Sequence, residues 1–563
     1  MKAKKLHIRS LGEVPYGEAL AIQRALAANH SDDWLLLLEH RPVVTLGVRG
    51  VMDHIFPELL PKGTEIVQSD RGGDVTFHGK GQLVGYPILS IGSDPMAKKS
   101  HTLALENLMI ELCKKLGLES VGTIEGYPGV WVDPSSKRPR KIGAIGVRVA
   151  HGRSFHGFAL NCDIDLDIYK AIVPCGITDK GVTSLAIEGI QTTVGEVISI
   201  CKDIAPACLL KGEVEIDYLD VSSQGSHKID IGRGVAAKAE TSPNAIKRLV
   251  KAGNDPSSGL EIKASKPLWI KKKATFGPSY AKLRNQMRSM SLVTVCEEAR
   301  CPNISECWGE GTATFMIAGN VCTRACGFCD VKTGKPEPLD HNEPQRVADA
   351  CFDMDLKYAV VTSVARDDLI DGGAMHWVET IKAIRSKNPK TEVEVLIPDF
   401  KGRREDLITV FDQRPDVLNH NVETVPRLQK AVRTSANYAR SLSVLAVAKE
   451  SSLVTKSGIM VGLGESDEEV IGVLYDLAGI GVSIVTIGQY LRPEGWHLPI
   501  MRYVDMDTFA KYKELGESFG IAHIESSPLT RSSHHARDAI ESYLAKSRSN
   551  SYKGKISTDL INA

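Results

Sequence analysis

Six cysteines fall within 34 residues of this chain, as Cys296-x4-Cys301-x5-Cys307 and then Cys322-x3-Cys326-x2-Cys329. Each triplet supplies three thiolates where a cubane cluster has four irons, so one iron per cluster is left for a ligand that is not cysteine. An open iron is where chemistry happens, and two triplets predict two [4Fe-4S] clusters. A structural zinc site wants four ligands in closed tetrahedral geometry, usually on paired C-x2-C knuckles, and neither triplet has that set. A disulfide framework fits worse still, because the chain is long and its other segments read as cytosolic α/β sequence, where thiols stay reduced.

A second group of motifs lies upstream. Arg71 to His78 reads RGGDVTFH and runs on into GKGQLVGY; then come KIGAIGVR from Lys141, SFHGFALN from Ser154, and Val173-Pro-Cys175-Gly-Ile. Glycine at the density of the first motif means backbone held close to a ligand or to a turn. Taken one at a time these segments also have plain readings: a structured loop, a solvated lysine at a strand start, a buried cysteine filling space.

The second cysteine triplet, with Phe328 just before its last member, resembles the radical S-adenosylmethionine signature. In that family the free iron chelates the methionine moiety and an electron releases a 5'-deoxyadenosyl radical, while the protein supplies position and exclusion of water. The whole stretch CEEARCPNISECWGEGTATFMIAGNVCTRACGFCD is similar to lipoyl synthases. The likeness continues through VVTSVARDDLIDGGA, VLIPDFKG, LNHNVETVPRL, TKSGIMVGLGES and IGQYLRPEGWHLP to Arg531-Ser-Ser-His-His-Ala536, covering roughly residues 265 to 540. It implies insertion of two sulfur atoms at carbons 6 and 8 of an octanoyl chain amide-linked to a protein lysine; unactivated C–H bonds explain the need for a radical. By the same resemblance Cys322, Cys326 and Cys329 hold the radical cluster, while Cys296, Cys301 and Cys307 hold an auxiliary, sulfur-donating cluster with Ser533 on its fourth iron. S-adenosylmethionine contacts are expected at Gly372, Gly373, Asn421, Glu423, Gly462 and Glu465, where glycine-rich strand ends read equally as tight turns. The family usually carries tyrosine where this chain has His534, and a histidine there competes as a ligand. A reduced ferredoxin or flavodoxin is the implied electron donor.

The upstream motifs, in this order, resemble the lipoyl (octanoyl) transferases, relatives of lipoate and biotin ligases, over roughly residues 5 to 200. The resemblance implies Cys175 as nucleophile, since acyl transfer from a thioester to an amine splits naturally into two steps through a cysteine thioester. It gives Lys141 the role of favouring the thiolate and passing protons. It places substrate against Arg71, Gly72, Gly73, Asp74, Val75, Thr76, Phe77 and His78, against Ala144, Ile145 and Gly146, and against Gly157, Phe158 and Ala159. Where the family commonly has His-Gly-Pro-Gly-Gln, this chain reads His78-Gly-Lys80-Gly-Gln82; losing proline frees φ and adds an N–H, which bears on loop stiffness and acyl-chain preference. The implied partners are octanoyl acyl carrier protein as donor, and as acceptors the lipoyl domains of 2-oxoacid dehydrogenases and the glycine-cleavage H protein. An ATP-dependent ligase, another sulfur-inserting radical enzyme, and a zinc-bearing interaction scaffold are the competing readings.

Elements must position these residues. HTLALENLMIELCKKLGL puts Leu105, Leu108, Met109, Leu112, Cys113 and Leu116 on one helical face ended near Gly117, a core stripe. DWLLLLEH, KIGAIGVRVA and FHGFALNC read as strands. The expected fold class is α/β, with an N-terminal lipoate/biotin-ligase-like mixed sheet flanked by helices. From about 314 onward TFMIAG, KYAVVTSV, EVEVLIP, DVLNHNV, SGIMVG and SIVTIGQYL alternate with amphipathic stretches. Repeating strand-helix units imply right-handed crossovers and a parallel sheet, which the radical family sharpens to a partial (β/α)6 TIM-like barrel with its site at the C-terminal strand ends. At 563 residues the chain exceeds what one core serves. The expected division is a transferase domain at 1–204, a Ser/Gly/Asp/Pro-rich connector at 205–262 carrying a short helix at SPNAIKRLVKAG, and a radical domain at 263–563.

With 69 basic and 69 acidic side chains nothing points to nucleic acid. The local run Lys137, Arg138, Arg140 and Lys141 could steer acidic partners, although such runs are commonly solvated faces. Cys113, Cys162, Cys201, Cys208 and Cys351 read as inert filling. The start MKAKKLHIRSLGEV lacks an apolar targeting core and no run approaches a membrane span, so the expected location is cytoplasmic, with no membrane partner.

Overall fold

The computed structural model describes residues 4–29, 32–173, 180–221, 243–260, 266–270, 293–294, 303–309 and 311–546. They fall into two compact units, one up to Ser222 and one from Ser223.

The first unit has strands β1 (Lys4–Val14), β2 (Asp33–His40), β3 (Val43–Leu46), β4 (Glu65–Gln68), β5 (Val75–His78), β6 (Gln82–Ile88), β7 (Val121–Ile124), β8 (Tyr127–Val132), β9 (Arg140–Ala150), β10 (Arg153–Asn161), β11 (Gly181–Val182) and β12 (Val214–Asp220). Nine of them form a sheet in the order β12-β1-β2-β6-β10-β9-β8-β7 with β11 beside β9, and β4-β3-β5 form a smaller sheet. The large sheet is mixed: β1 lies parallel to β12 and β2, whereas β6, β10, β9 and β8 pair antiparallel in succession. The run DWLLLLEH is buried at nearly every position of β2, as a strand covered on both faces requires. Helix Pro95–Lys115 opens with the Asp94 side chain accepting from Met96 N and with proline in the first turn. Its stripe Leu105, Leu108, Met109, Leu112 and Cys113 is buried against Val130, Ile142 and Leu160 of the sheet, with Leu116 at the edge of that core. Beside it runs helix Val194–Leu209, started by a Thr193/Glu196 capping box.

The connector is narrower than its composition suggests. Helix Val194–Leu209 runs past residue 204, and β12 pairs with Lys4 to Ser10 of β1, which covers what would otherwise be an open sheet edge. At the other end, helix Pro243–Lys251 forms where SPNAIKRLVKAG predicts it, with Pro243 in its first turn; Ser242 lies outside the described residues. The residues that follow the helix join the second unit: Asn254 Nδ2 donates to Leu463 O (3.0 Å) and Leu260 N to Ile500 O (2.7 Å).

The second unit carries β13 (Val293–Thr294), β14 (Thr312–Ile317), β15 (Tyr358–Ser363), β16 (Glu392–Leu396), β17 (Val417–Asn419), β18 (Thr455–Val461), β19 (Ile484–Gln489) and β20 (His523–Ser526), hydrogen-bonded in chain order. From β14 to β20 every pairing is parallel, and β13 joins antiparallel. The six expected strands are β14 to β19. β20 is a seventh, a four-residue strand reading HIES, too short and polar to leave an apolar run in the sequence. Inside the sheet, Lys456 Nζ sits 3.0 Å from Glu394 Oε1, and Tyr358 and Asn419 donate to the same carboxylate (2.9 and 3.1 Å). Among the described residues no helix is long and apolar enough to cross a membrane.

Candidate active sites

In the second unit, the chain leaves the C-terminal end of β14 into the loop that carries Cys322, Cys326 and Cys329. Backbone bonds pin that loop on several sides: Thr323 N to Ala365 O (3.1 Å), Gly327 N to Val432 O (2.8 Å) and Leu498 N to Gly327 O (3.0 Å). His497 closes another edge, its ring Nε2 3.1 Å from Cys329 O while Glu494 N donates to Nδ1 (3.1 Å). The loop's own Arg324 makes two bonds to Asp367 (2.7 and 2.8 Å) and one to Asp399 (2.7 Å). Burial would raise the Asp399 carboxyl, but the Arg324 guanidinium outweighs it and holds the group at about 2.

Burial pushes the thiols of Cys326 up to about 11 and of Cys329 up to about 12, and Cys322 adds to both shifts. Buried thiols whose neighbours add to the rise are held as thiolates when a cation shares them, so this donor set fits an iron-sulfur cluster. Glu423 faces the same thiols. It has left-handed backbone, accepts from Asn421 Nδ2 (3.2 Å), and has its carboxyl raised by burial against the pull of Arg433.

The other expected cofactor contacts serve their own loops. Gly372 and Gly373 turn the chain into helix Ala374–Lys387, Gly373 N donating to Asp371 Oδ1 (2.9 Å). Buried Glu465 accepts from Gly462 N (2.5 Å) and Leu463 N (2.9 Å), so both its oxygens close the turn after β18. Arg324, Asp367, Asp399 and His497 are not singled out as site residues by the sequence, although each lies inside a stretch that carries the family likeness: Arg324 in the cysteine spacing, Asp367 in VVTSVARDDLIDGGA, Asp399 in VLIPDFKG and His497 in IGQYLRPEGWHLP.

Of the first triplet, Cys307 is buried in helix Ile304–Gly309, while Cys296 and Cys301 lie outside the described residues. Asn303, beside that helix, donates to Leu529 O (2.7 Å), which ties it to the segment carrying Ser533. Ser533 is half-buried in a turn closed by His534 N donating to Arg531 O (3.0 Å).

In the first unit, a slot of about 40 Å³ is lined by Arg71, Gly73, Thr76, His78, Ala144, Ile145, Gly146, Gly157, Phe158 and Ala159, together with Tyr16, Tyr86 and His156. Gly73, Ile145 and Gly146 are shared with a wider cleft of about 440 Å³ that also holds Gly72, Asp74, Tyr127 and Lys141. Val75 and Phe77 do not line either. Side chains alternate along a strand, so on β5 Thr76 and His78 face the slot while Val75 and Phe77 pack with Val44, Leu46 and Ile55. Arg71 is a brace, donating to Thr45 Oγ1 and O, Gly72 O and Asp74 O over 2.6–3.1 Å.

Burial, with His40 adding to it, holds His78 at about 3. Its Nδ1–H donates to Gln82 Oε1 (2.7 Å), whose amide donates to Asn161 Oδ1 (2.9 Å), so Nε2 is left as an acceptor. Asn161 Nδ2 donates to Thr183 O (2.9 Å), and Thr183 N donates to Lys141 O (2.9 Å). Tyr16, Tyr86 and His156 also line the slot; Tyr86 and His156 stand inside the motifs GKGQLVGY and SFHGFALN without being expected at the substrate, and Tyr16 lies outside every motif. The Tyr86 hydroxyl donates to His40 Nε2 (2.6 Å), and His156 Nε2 meets Asp70 Oδ1 at 2.7 Å.

Lys141 Nζ stands 4.9 Å over the Trp131 ring. Cys175 lies outside the described residues, but its described flanks reach the cleft: Val173 N donates to His54 O (2.8 Å), His54 pairs with Asp74 (2.7 Å), and Lys180 Nζ lies 4.3 Å over the Tyr127 ring. Arg140, part of the expected steering run, is committed to Asp133 and Glu188 (2.8 Å each). Burial lifts the thiols of Cys113, Cys162 and Cys351 to about 12 and raises those of Cys201 and Cys208, as unreactive filling requires.

Residues 15–204 match the lipoyl protein ligase A/B catalytic domain, residues 316–477 the radical SAM superfamily, and residues 243–301 the N-terminal domain of lipoyl synthase of the radical SAM family. Over 278 residues, 49% of this chain and 87% of the relative, the sequence is 57% identical to a lipoyl synthase of Rubrobacter xylanophilus. A mitochondrial lipoyl synthase of Nematostella vectensis is 51% identical over 49% of this chain and 95% of its own. Among solved structures, a putative lipoate protein ligase from T. acidophilum overlays on 39% of this chain and 88% of its own, with 18% identity and a TM-score of 0.31.

Proposed function

This chain belongs to the lipoyl synthase family through its second unit and carries a lipoyl protein ligase A/B catalytic domain in its first, and from that premise we propose that the two units act in turn on one lysine of a lipoyl domain. It is a bifunctional enzyme of lipoate biosynthesis that uses S-adenosylmethionine and iron-sulfur chemistry. The finer reading concerns donors, cluster number and residue roles.

In the first step, the Cys175 thiolate attacks the octanoyl thioester of acyl carrier protein. The C–S bond to the carrier breaks, the carrier thiol takes a proton from Lys141, and octanoyl-Cys175 is left. The acceptor lysine amine then attacks that thioester, gives its proton to Lys141, and releases the Cys175 thiolate. The observation that carries this half is Lys141 in an open cleft that shares Gly73, Ile145 and Gly146 with a slot lined by Phe158 and the neutral His78. Apart from Arg71, whose guanidinium is engaged by Thr45, Gly72 and Asp74 oxygens, the slot presents Ala144, Ile145, Phe158 and Ala159, and such a wall suits an alkyl chain, since apolar surface gains by leaving water.

We assign two cubane clusters to the second unit: Cys322, Cys326 and Cys329 would hold one, and Cys296, Cys301, Cys307 and Ser533 the other. When bound, they supply one-electron cleavage of S-adenosylmethionine and the sulfur itself. Arg324, His497 and the backbone around Gly327 hold the cysteine loop, and Asn421 with Glu423 offers polar atoms beside it. A reduced ferredoxin or flavodoxin is the proposed electron source. Fusion raises the effective concentration of the octanoylated intermediate for the second site.

The test is anaerobic. The full chain is reconstituted, its iron and sulfide are counted, and it is incubated with octanoyl acyl carrier protein, apo lipoyl domain, S-adenosylmethionine and reductant before the lipoyl domain is weighed by intact mass spectrometry. A lipoyl mass with about eight irons per chain, as two cubanes need, is expected. A requirement for ATP, with indifference to Cys175→Ala, would replace the transferase by a ligase.

A further inference from the structure

Next to the proposed auxiliary cluster lies a second set of ligand atoms that the function above does not use. Glu306 precedes Cys307, and His534 and His535 follow Ser533; one ligand atom from each of the three lies within 4.8 Å of the others. His534 Nε2 stands 3.5 Å from Glu306 Oε2, and His535 Nε2 stands 3.8 Å from Glu306 Oε1. Nitrogen and oxygen ligands bonded at about 2.0–2.1 Å to one tetrahedral ion stand about 3.4 Å apart, so these two separations are within about half an ångström of the ideal one, while the set as a whole, one ligand atom per residue, closes within 4.8 Å.

The backbone prepares this approach. His535 has φ 51°, a left-handed conformation that histidine visits more often than bulkier residues do. There its ring stacks on that of His534, with centroids 3.9 Å apart and planes 25° from parallel. Glu525 Oε1 lies 3.8 Å from the far nitrogen of His535, Nδ1. A carboxylate oxygen on the Nδ1 side of an imidazole whose Nε2 faces a ligand position is the arrangement in which metal-bound histidines are commonly supported. His534 is buried, while His535 and Glu306 are half-buried, which leaves a path for an ion from solvent.

We propose that Glu306, His534 and His535 form a binding site for one divalent transition-metal ion, of the ferrous or zinc class that two imidazoles and a carboxylate select. With the tyrosine usual in lipoyl synthases at position 534, one imidazole would be missing, so the site is a feature of this chain. Its purpose rests on the reading above: iron set free as the neighbouring cluster surrenders sulfur meets this site first and is held for rebuilding.

The experiment uses the full chain reconstituted anaerobically with its clusters, titrated with Co(II), desalted, and counted for cobalt, iron and sulfide by elemental analysis. One cobalt per chain is expected in the wild type, with at least tenfold weaker binding in His534→Tyr and in Glu306→Gln and with unchanged iron and sulfide. His534→Tyr installs the residue usual in the family, and melting temperature checks that both variants are folded. Equal cobalt binding in all three proteins means an adventitious ion only and overturns the proposal. Loss of cluster iron in His534→Tyr also overturns it, because the histidine is then a ligand of the cluster itself. Sulfur insertion into octanoyl lipoyl domain is measured separately, and its absence would sink the proposed function while cobalt binding stands or falls by itself.

Discussion

Asp399→Asn is the most informative single change in the cysteine loop's support. Asp399 is fully buried and meets Arg324 at 2.7 Å, and Arg324 lies between two of the cluster cysteines. Asparagine keeps the shape and the acceptor that Lys401 N uses (3.0 Å), so the substitution removes charge alone. Asp399 drops from 3.8 to about 2 in the fold, which at about 1.4 kcal/mol per unit makes its charge worth about 2 kcal/mol. The folded-state value is depressed, so this stability is present above the unfolded value near 3.8 and is lost as pH falls toward 2. At pH 7 all of it is available to lose. With about 2.1 cal/mol/K per residue over about 300 residues, unfolding entropy is about 0.6 kcal/mol/K, and the second unit should melt about 3–4 °C lower. Calorimetry of the reconstituted full chain reads this directly. In a cycle with Arg324→Gln, the double variant should cost about 1–2 kcal/mol less than the sum of the singles, because both remove the same pair. Strict additivity, or an Asp399→Asn protein that melts with the wild type, would show that the charge pair does not hold the loop.

Three further outcomes are expected. His40 and His101 are held by burial at about 4 and His78 at about 3, so each stays neutral in the fold while the unfolded chain takes a proton below about 6.5. Stability of the first unit should therefore fall as pH drops from about 6.5 toward 4, by up to about 4 kcal/mol per pH unit for three protons, and a calorimetric melting point flat over that range would refute it. Lys456→Met should cost about 3–5 kcal/mol by leaving Glu394 buried and unneutralised, whereas Lys456→Met with Glu394→Leu should recover much of the loss; urea titration measures both. Gly464 has φ 108°, and a Cβ there would meet Asn254 Nδ2 at 2.1 Å, so Gly464→Ala should release residues 243–260 and speed their proteolysis under native conditions, an effect that Asn254→Gly should partly relieve.

Chemistry in this protein was legible wherever it depends on what is covalently near. Three thiols in C-x3-C-x2-C must share a loop whatever the fold does, the apolar runs of β14 to β19 must be strands, and the Leu105 to Cys113 stripe must be a buried helix face. Side-chain alternation along β5 was equally present in the sequence, yet which face met the slot was not, so Val75 and Phe77 were read as lining when they are core. β12 and β20 were invisible because their pairing comes from β1 and β19, distant in sequence, and not from their own composition. The same holds for Asp367 and Asp399 around Arg324, for Tyr16, Tyr86 and His156 at the slot, and for Glu306 against His534. Each of those contacts joins residues tens to hundreds of positions apart. Local spacing determined which candidate ligands and nucleophiles this chain offers; only the tertiary structure, by closing long loops through burial and parallel strand pairing, decided what surrounds them, and for Cys326 and Cys329 those surroundings raise the thiols.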